Sequence, residues 1–366
     1  MSQLKNFLPK KIFEFLRKGV LGQDDVLEYV SVALYRHINH SRAGNLLLIG
    51  NSGTGKTTIM RAIRALYDAY EELKIFRVMV IMNANMLIGE DEADVQCMRL
   101  FKSIEDKVRN LVGKEINENT LKAYMENATV CLDEIDKISA RVSGKVNVSG
   151  IAIQQALLTI MEGETIIYET AVSENGNTKN VKIPIDTSKL LFICGGAFEE
   201  LYDQVYHQVV NAGERRRLKS QIVVGKNGIS FESKFNLKEY LVLEDLFRYG
   251  MVPQFISRFN AMVVLNNLSI EDLKKILKDA ADSPYRNSKE YFNNMNIDLD
   301  HTEDAMELIA THAAENTRIG ARALGEVFSK IMTTMEFDPF SSDKVVKDGD
   351  GYTLTITKEM AEEALK

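Results

Sequence analysis

The stretch LLLIGNSGTGKTTIMRAI, residues 46–63, decides the fold. Leu46 to Ile49 form a continuous apolar run, which reads as a strand buried on both faces of a parallel sheet. A glycine-rich bend follows, then Lys56-Thr57, then a helix-like pattern. Gly50-Asn51-Ser52-Gly53-Thr54-Gly55-Lys56-Thr57 fits G-x-x-x-x-G-K-[ST], and it stands between strand and helix, the setting that pattern requires. Glycines let backbone N–H groups turn inward as an anion nest, and the following helix N-terminus adds positive potential. Lys56 is suited to the β and γ phosphates and the Thr57 hydroxyl to magnesium, with Thr58 next in the nucleotide-binding set. ATP and Mg2+ are the expected ligands.

Outward from this segment, short apolar runs at 76–81 (FRVMVI), 128–132 (ATVCL) and 189–194 (KLLFIC) read as further parallel strands, with 261–265 (AMVVL) as another. Helical patterns around 57–70, 93–112, 150–162 and 198–210 supply the crossovers, which makes the class α/β with a parallel sheet covered by helices. Upstream, Pro9 opens a short helix that stops at Gly19, and GQDDVLEYVSVALYRHI forms a second one. The pattern changes after NNLS. Ser269 caps one helix, Thr302 opens another, a third follows RIGAR, YTLTIT alternates as a strand and KEMAEEALK closes as a helix. The expected division is a large α/β domain over 1–267 and a smaller, mostly helical one over 268–366. SENGNTKN (173–180) and KNG (226–228) read as polar turns or loops.

Composition narrows the function classes. The 366 residues, 45% hydrophobic and 27% charged, describe an ordinary globular chain of about two domains. A net charge of -7 argues against unaided binding to a nucleic-acid backbone. No apolar run approaches the ~18 residues of a membrane helix, and the stretch MSQLKNFLPKKIFEF lacks the long apolar core and small-residue cleavage site of a secretory signal. A cytoplasmic location is expected. Cys97, Cys131 and Cys194 form no zinc pattern, and Cys131 and Cys194, each ending an apolar run, read as buried small hydrophobes. His37 and His40, without further partners, make no metal site.

ATVCLDEIDKI supplies the second half of the chemistry. A hydrophobic strand delivers Asp133 to the sheet edge, where its carboxylate can hold magnesium, and Glu134 follows as the base for water attacking the γ phosphate. The pair lies about 75 residues after the glycine-rich loop, and the chain reads as an ATPase rather than a nucleotide binder.

With LGQDDVLEYVSVALYRH, LDEIDKI, IQQALLTIMEGE, DTSKLLFICGGAFEEL, LVLEDLFRYGMVPQFISRFNAMVVLNNLS and RIGARALGEV, the sequence resembles the AAA+ ATPases and, within them, the ClpX family of unfoldase subunits. The likeness runs from Leu8 to Lys366. It implies that Val20 and Leu21 wall the adenine, that Arg258 is an arginine finger reaching a neighbouring subunit's nucleotide, and that Arg322 senses ATP from the small domain. It also implies a homo-hexameric ring acting on protein clients, with the polypeptide pulled through a central pore.

The departures from the family are specific. Its cysteine-rich zinc domain is not expected, because the chain opens almost directly at the ATPase module. Its aromatic pore loop is replaced by Met86-Leu87-Ile88-Gly89, with Leu87 at the tyrosine position. Two readings stand: a modified aliphatic grip, or a loop that packs against something in a ring that does not thread protein. The apolar-Gly-Phe tripeptide that docks the ClpP peptidase is missing. Ile229-Ser230-Phe231 is its nearest imitation and Ile222-Val223-Val224 another candidate, so peptidase coupling stays open. Arg215, Arg216 and Arg217 read most simply as a solvated charge run. LLFICGG offers only Cys194 where a polar sensor is usual, and no sensor is assigned there. The leading expectation is an ATP-driven unfoldase. The other is a nucleotide-gated scaffold factor that holds a protein or nucleoprotein partner without threading it.

Overall fold

The computed structural model describes residues 7–365 apart from 42–43, 88–92, 114, 143, 175–176, 212–219, 226–227, 234, 281 and 317–318. By packing, the chain divides into two compact units: residues 1–16, 25–49 and 60–264, and residues 17–24, 50–59 and 265–366.

The strands are β1 (Leu46–Ile49), β2 (Met79–Asn83), β3 (Thr129–Asp133), the short hairpin β4 (Arg141–Val142) and β5 (Lys145–Val146), β6 (Thr165–Glu174), β7 (Asn177–Asp186), β8 (Leu191–Gly196), β9 (Ser220–Gly225), β10 (Gly228–Ser233), β11 (Ala261–Val264), β12 (Ile297–His301), β13 (Val345–Asp348) and β14 (Gly351–Ile356). In the first unit, five form one sheet in the order β11-β1-β8-β3-β2, every pair parallel. Burial follows position. Every residue of the central β1 and β8 is buried, whereas the edge strands β2 and β11 each carry three residues that are partly or fully exposed. That explains why the central runs read most plainly as apolar text.

Parallel neighbours cannot be joined by tight turns, so helices span the crossovers. α1 (Pro9–Leu16) and α2 (Asp24–Ile38) precede β1, and the helices after it are α3 (Lys56–Ala69), α4 (Ala93–Val112), α5 (Glu118–Glu126), α6 (Val148–Met161), α7 (Glu199–Asn211), α8 (Leu237–Tyr240), α9 (Leu243–Tyr249) and α10 (Pro253–Ile256). Phe101, Ile104 and Val108 of α4, Leu157 and Ile160 of α6, and Phe198 pack with Leu47, Leu132 and Phe192 of the sheet into one core. Each such burial contributes about 1.5–3 kcal/mol. Cys131 and Cys194 are buried free thiols within strands, and burial pushes both up from their ordinary titration range. Among the described residues no helix is long and apolar enough to cross a membrane.

One expectation fails in this unit. The polar stretch 173–180, read as a loop, belongs largely to a long antiparallel hairpin: β6 and β7 remain paired out to Glu174 opposite Asn177. The arms are rich in β-branched residues, and inward Tyr168, Val172, Ile183 and Ile185 alternate with wetter positions, so polar residues near the tip are tolerated. Glu105 of α4 anchors the hairpin. It is 1% exposed and accepts hydrogen bonds from Tyr168 Oη and Thr170 Oγ1, each at 2.6 Å, and from Arg109 Nε at 2.7 Å.

Two buried groups set an acid limit on stability. Burial alone raises the Glu105 carboxyl, but hydrogen bonds from Thr170, Tyr168, Arg109 and Lys102 outweigh it and bring it down to about 2. His37, 2% exposed, is held by burial at about 4. Both folded values lie below the unfolded ones. The His37 contribution is therefore complete above pH 6.5 and lost as pH falls to 4, while that of Glu105 is complete above pH 4.5 and lost toward pH 2. Each amounts to about 3 kcal/mol by linkage. Urea-unfolding midpoints measured from pH 8 to pH 4 should fall first below pH 6.5, and His37→Gln should flatten that first segment.

The second unit has its own core, in which Leu273, Leu277, Phe292, Ile309, Leu324 and Phe328 meet Ile297, Leu299, Leu354 and Ile356. Its helices are α11 (Ile270–Asp279), α12 (Pro284–Asn293), α13 (Glu303–Glu315), α14 (Arg322–Phe337) and α15 (Lys358–Ala364). Ser269 caps α11 in a reciprocal box with Asp272, and Thr302 caps α13. Besides these helices the unit holds a three-stranded sheet in the order β12-β14-β13. Only β14 was expected from its alternation. β12 carried the same signal, with Ile297 and Leu299 buried and Asp298 and Asp300, each next in the chain, exposed.

Candidate nucleotide site

The parallel order sets the C-terminal ends of β1, β8 and β3 along one edge of the sheet. In such sheets ligands bind outside the carboxyl ends of the strands. The glycine-rich loop follows directly from Ile49, and Asp133 is the last residue of β3.

Within the loop, Gly53 and Gly55 have φ of +73° and +107°, which side chains with a Cβ rarely adopt. A Cβ on Gly53 would also fall 2.1 Å from the carbonyl oxygen of Ile319. Its own carbonyl accepts from the Ala321 N–H at 3.1 Å. Lys56 is 8% exposed, and its Nζ donates to the carbonyl of Gly50 and, at 2.8 Å, to that of Asn51. Those carbonyls orient the ammonium at the mouth of the helix α3. Thr54 Oγ1 donates to Asn51 O at 2.8 Å and tightens the turn. Arg322, the first residue of α14, donates from Nη1 to Ser52 Oγ at 2.5 Å. The sensor arginine suggested by resemblance is thus at the loop itself. Val20 is buried and Leu21 half-buried in the segment that groups with the loop.

At the end of β3, Asp133 Oδ1 accepts from the Glu134 N–H at 2.9 Å. Glu134 is exposed and left-handed, with φ +55° and ψ +38°. A glutamate in that region is strained by about 1–3 kcal/mol, and such outliers cluster at active sites. Asn83, closing β2, donates to Glu134 Oε2 at 3.3 Å. Sequence reasoning passed over Asn83, although it ends a strand as Asp133 does. It also passed over Asp136, which is 4% exposed and accepts from Ala197 N at 3.1 Å, bracing the turn after β8. Cys194, beside that turn, is fully buried.

Arg258 lies at a polar cavity of about 170 Å³ lined in part by Asn45, Thr187, Ser188 and Asn260. Its Nη2 pairs with Glu162 Oε1 at 2.5 Å, and its Nε is buried without an acceptor among the described residues. Leu87 lies where one of the two readings of its loop put it, packed against other residues. It is 3% exposed and packed in the core of the first unit, while Met86 beside it is 66% exposed. Ile88, Gly89 and Arg215 to Arg217 lie outside the described residues. Ile229, Ser230 and Phe231 fall in β10, paired antiparallel with β9, and their side chains lie outside the description.

Thr57 and Asp133 each carry a hard oxygen of the kind magnesium takes, and among the described residues no group of three or more His, Cys, Asp or Glu could hold a metal. Magnesium is usually bound by one or two carboxylates together with substrate phosphates.

Residues 41–262 match the family model of the AAA domain (Cdc48 subfamily), and the chain belongs to that family of ATPases. Among its relatives is the ATP-dependent Clp protease ATP-binding subunit ClpX of Borrelia duttonii, 30% identical over 356 residues that cover 93% of this chain and 76% of the relative. The same-named subunit of Bacteroides thetaiotaomicron is 28% identical over 376 residues, covering 97% and 82%. That of Treponema denticola is 30% identical over 351, covering 90% and 77%. Within its family the chain is a ClpX-like AAA+ ATPase.

Proposed function

We propose that this ATPase is a protein unfoldase or remodeller that works as a homo-hexameric ring and pulls polypeptide clients through a central pore. The likeness to ClpX supports this reading. So does the conjunction of a Lys56 held by loop carbonyls, an Arg322 on Ser52 and a strained Glu134 beside Asp133. Residues 1–267 act as the hydrolysing domain and 268–366 as the part that senses nucleotide state.

The backbone nest of residues 50–57 and Lys56 bind the β and γ phosphates, and Val20 and Leu21 cover the adenine. Thr57 and Asp133 hold magnesium, which when bound neutralises charge on the phosphate oxygens. Glu134 orients the attacking water and takes its proton, with Asn83 steadying the carboxylate. Arg258 exchanges its pairing with Glu162 for the γ phosphate of the adjacent subunit. Arg322, on Ser52 of its own loop, couples loss of the γ phosphate bound there to the C-terminal helices.

Met86, rather than Leu87, is the exposed apolar side chain offered to a client. The burial of Leu87 also favours a second reading, a nucleotide-gated scaffold whose ring holds a partner without threading it. ATPase rate with and without an unfolded polypeptide separates the two. Under the unfoldase reading polypeptide raises the rate, and Met86→Ala reduces that increment. Stimulation by nucleic acid alone would support the scaffold instead. Leu87→Ala should act on stability, lowering it by about 2–5 kcal/mol as a core cavity does, which a thermal melt would register.

A further inference from the structure

Gln23 is completely buried, and all its described hydrogen bonds go to main chain. Its Nε2 donates to the carbonyl of Thr54 at 3.0 Å and to the carbonyl of Asn266 at 2.8 Å, while its Oε1 accepts from the N–H of Asn266 at 2.9 Å. One planar carboxamide therefore holds both backbone groups of Asn266, as a neighbouring strand would, and ties them to the phosphate loop. Thr54 precedes Gly55, whose φ is +107° and at which an added Cβ would meet nothing within 4 Å among the described residues, so the loop has room to turn there. Asn266 stands three residues before Ser269, the cap of α11.

The surroundings leave this bridge little slack. Gly22 has φ +72°, and a Cβ on it would lie 2.8 Å from Asp272 Oδ2 and 2.9 Å from Leu268 Cδ2. A Cβ on Gly50 would lie 2.8 Å from Leu265 Cβ. The segment before α2, the phosphate loop and residues 265–272 thus pack closely around a side chain that spans all three. A leucine or methionine of similar volume would fill the space. What the carboxamide adds is direction, because its donors and acceptor hold only one orientation of Thr54 against Asn266.

We propose that Gln23 is a positioning residue that transmits the state of the phosphate loop to Asn266 and the start of α11. The proposal rests on the reading of residues 50–57 as the nucleotide site. When phosphate draws the loop's N–H groups inward, the Thr54 carbonyl turns with them, and the carboxamide carries that turn into residues 265–269. Arg322 touches the loop from α14, so the Gln23 bridge is a second and separate route into the C-terminal residues.

The test is backbone hydrogen exchange on the full chain, with and without magnesium and the slowly hydrolysed analogue ATPγS, comparing wild type with Gln23→Met. In wild type the analogue should slow exchange at both 50–59 and 265–279. In Gln23→Met the slowing at 50–59 should persist, and that at 265–279 should fall by about threefold or more. Steady-state kcat should drop about tenfold while KM moves less than about threefold, a split that loss of packing alone does not produce. Unchanged slowing at 265–279 in Gln23→Met would overturn the proposal. So would slowing in wild type confined to 50–59, which leaves the nucleotide site standing. Absence of slowing at 50–59 in wild type would remove the nucleotide-site reading and the proposal with it. If Gln23→Met shows no cooperative melt, Gln23→Asn carries the same comparison, since it keeps the carboxamide one methylene short of Asn266.

Discussion

Glu134→Gln should bind ATP with near-normal affinity and hydrolyse it at least about a hundredfold more slowly, because the amide keeps the carboxylate's shape but cannot take a proton from water. The side chain is exposed at the end of β3 and touches Asn83, so the change removes no core packing. Binding measured by titration and turnover measured by phosphate release separate the two effects. A variant that binds and turns over normally would exclude Glu134 as the base. The stalled protein is also a trap. Recovered from its native extract with bound nucleotide and weighed intact, it should carry polypeptide clients on an assembly of six copies. Clients with a peptidase would mean degradation, and clients alone would mean stand-alone unfolding. One stoichiometric partner, or nucleic acid, would favour the scaffold reading.

Arg258→Ala should be comparably severe, with hydrolysis falling by about a thousandfold, the scale of a removed arginine finger. The mutant should still bind nucleotide, since Arg258 is assigned to the neighbour's site. A mixing experiment decides where it acts. Arg258→Ala subunits keep Glu134, and Glu134→Gln subunits keep Arg258, so a mixed assembly contains interfaces at which both groups are intact. Activity should reappear on mixing although each variant alone is inactive. If Arg258 served its own subunit, no mixture would recover. Within one chain its described acidic partner is Glu162, an ion pair about one-third exposed at each end. Such a pair contributes about 1 kcal/mol or less. A neighbour's phosphate can therefore compete for the guanidinium at small cost.

Most of the architecture was legible because burial on both faces leaves a strong local mark. The four-residue run of β1 and the runs that became β3, β8 and β11 were each recognisable without a partner strand in view. The caps at Ser269 and Thr302 were equally local, since a hydroxyl serves N–H groups only three residues away. The β6–β7 hairpin was missed because polar residues at its tip resemble a loop, although Asn175-Gly176 is a known hairpin signal. Helices α5 and α12 and strand β12 were missed for a related reason: short elements carry too few turns or alternations to stand out.

The sequence by itself suggested the functions proposed for the loop and for the Asp133-Glu134 pair. Those functions depend on residue type at fixed chain spacing, and spacing of that kind survives translation into structure without knowledge of what packs where. Tertiary structure alone decided that Leu87 is core and Met86 surface, that Glu105 anchors a hairpin, and that Gln23 joins Thr54 to Asn266. Leu87 and Met86 are adjacent and alike in hydrophobicity, so only the turn of the backbone separates them. The Gln23 bridge spans 243 residues of sequence. No local pattern records such a contact, because the hydrogen bonds that offset the cost of taking this polar side chain out of water exist only once the chain has folded.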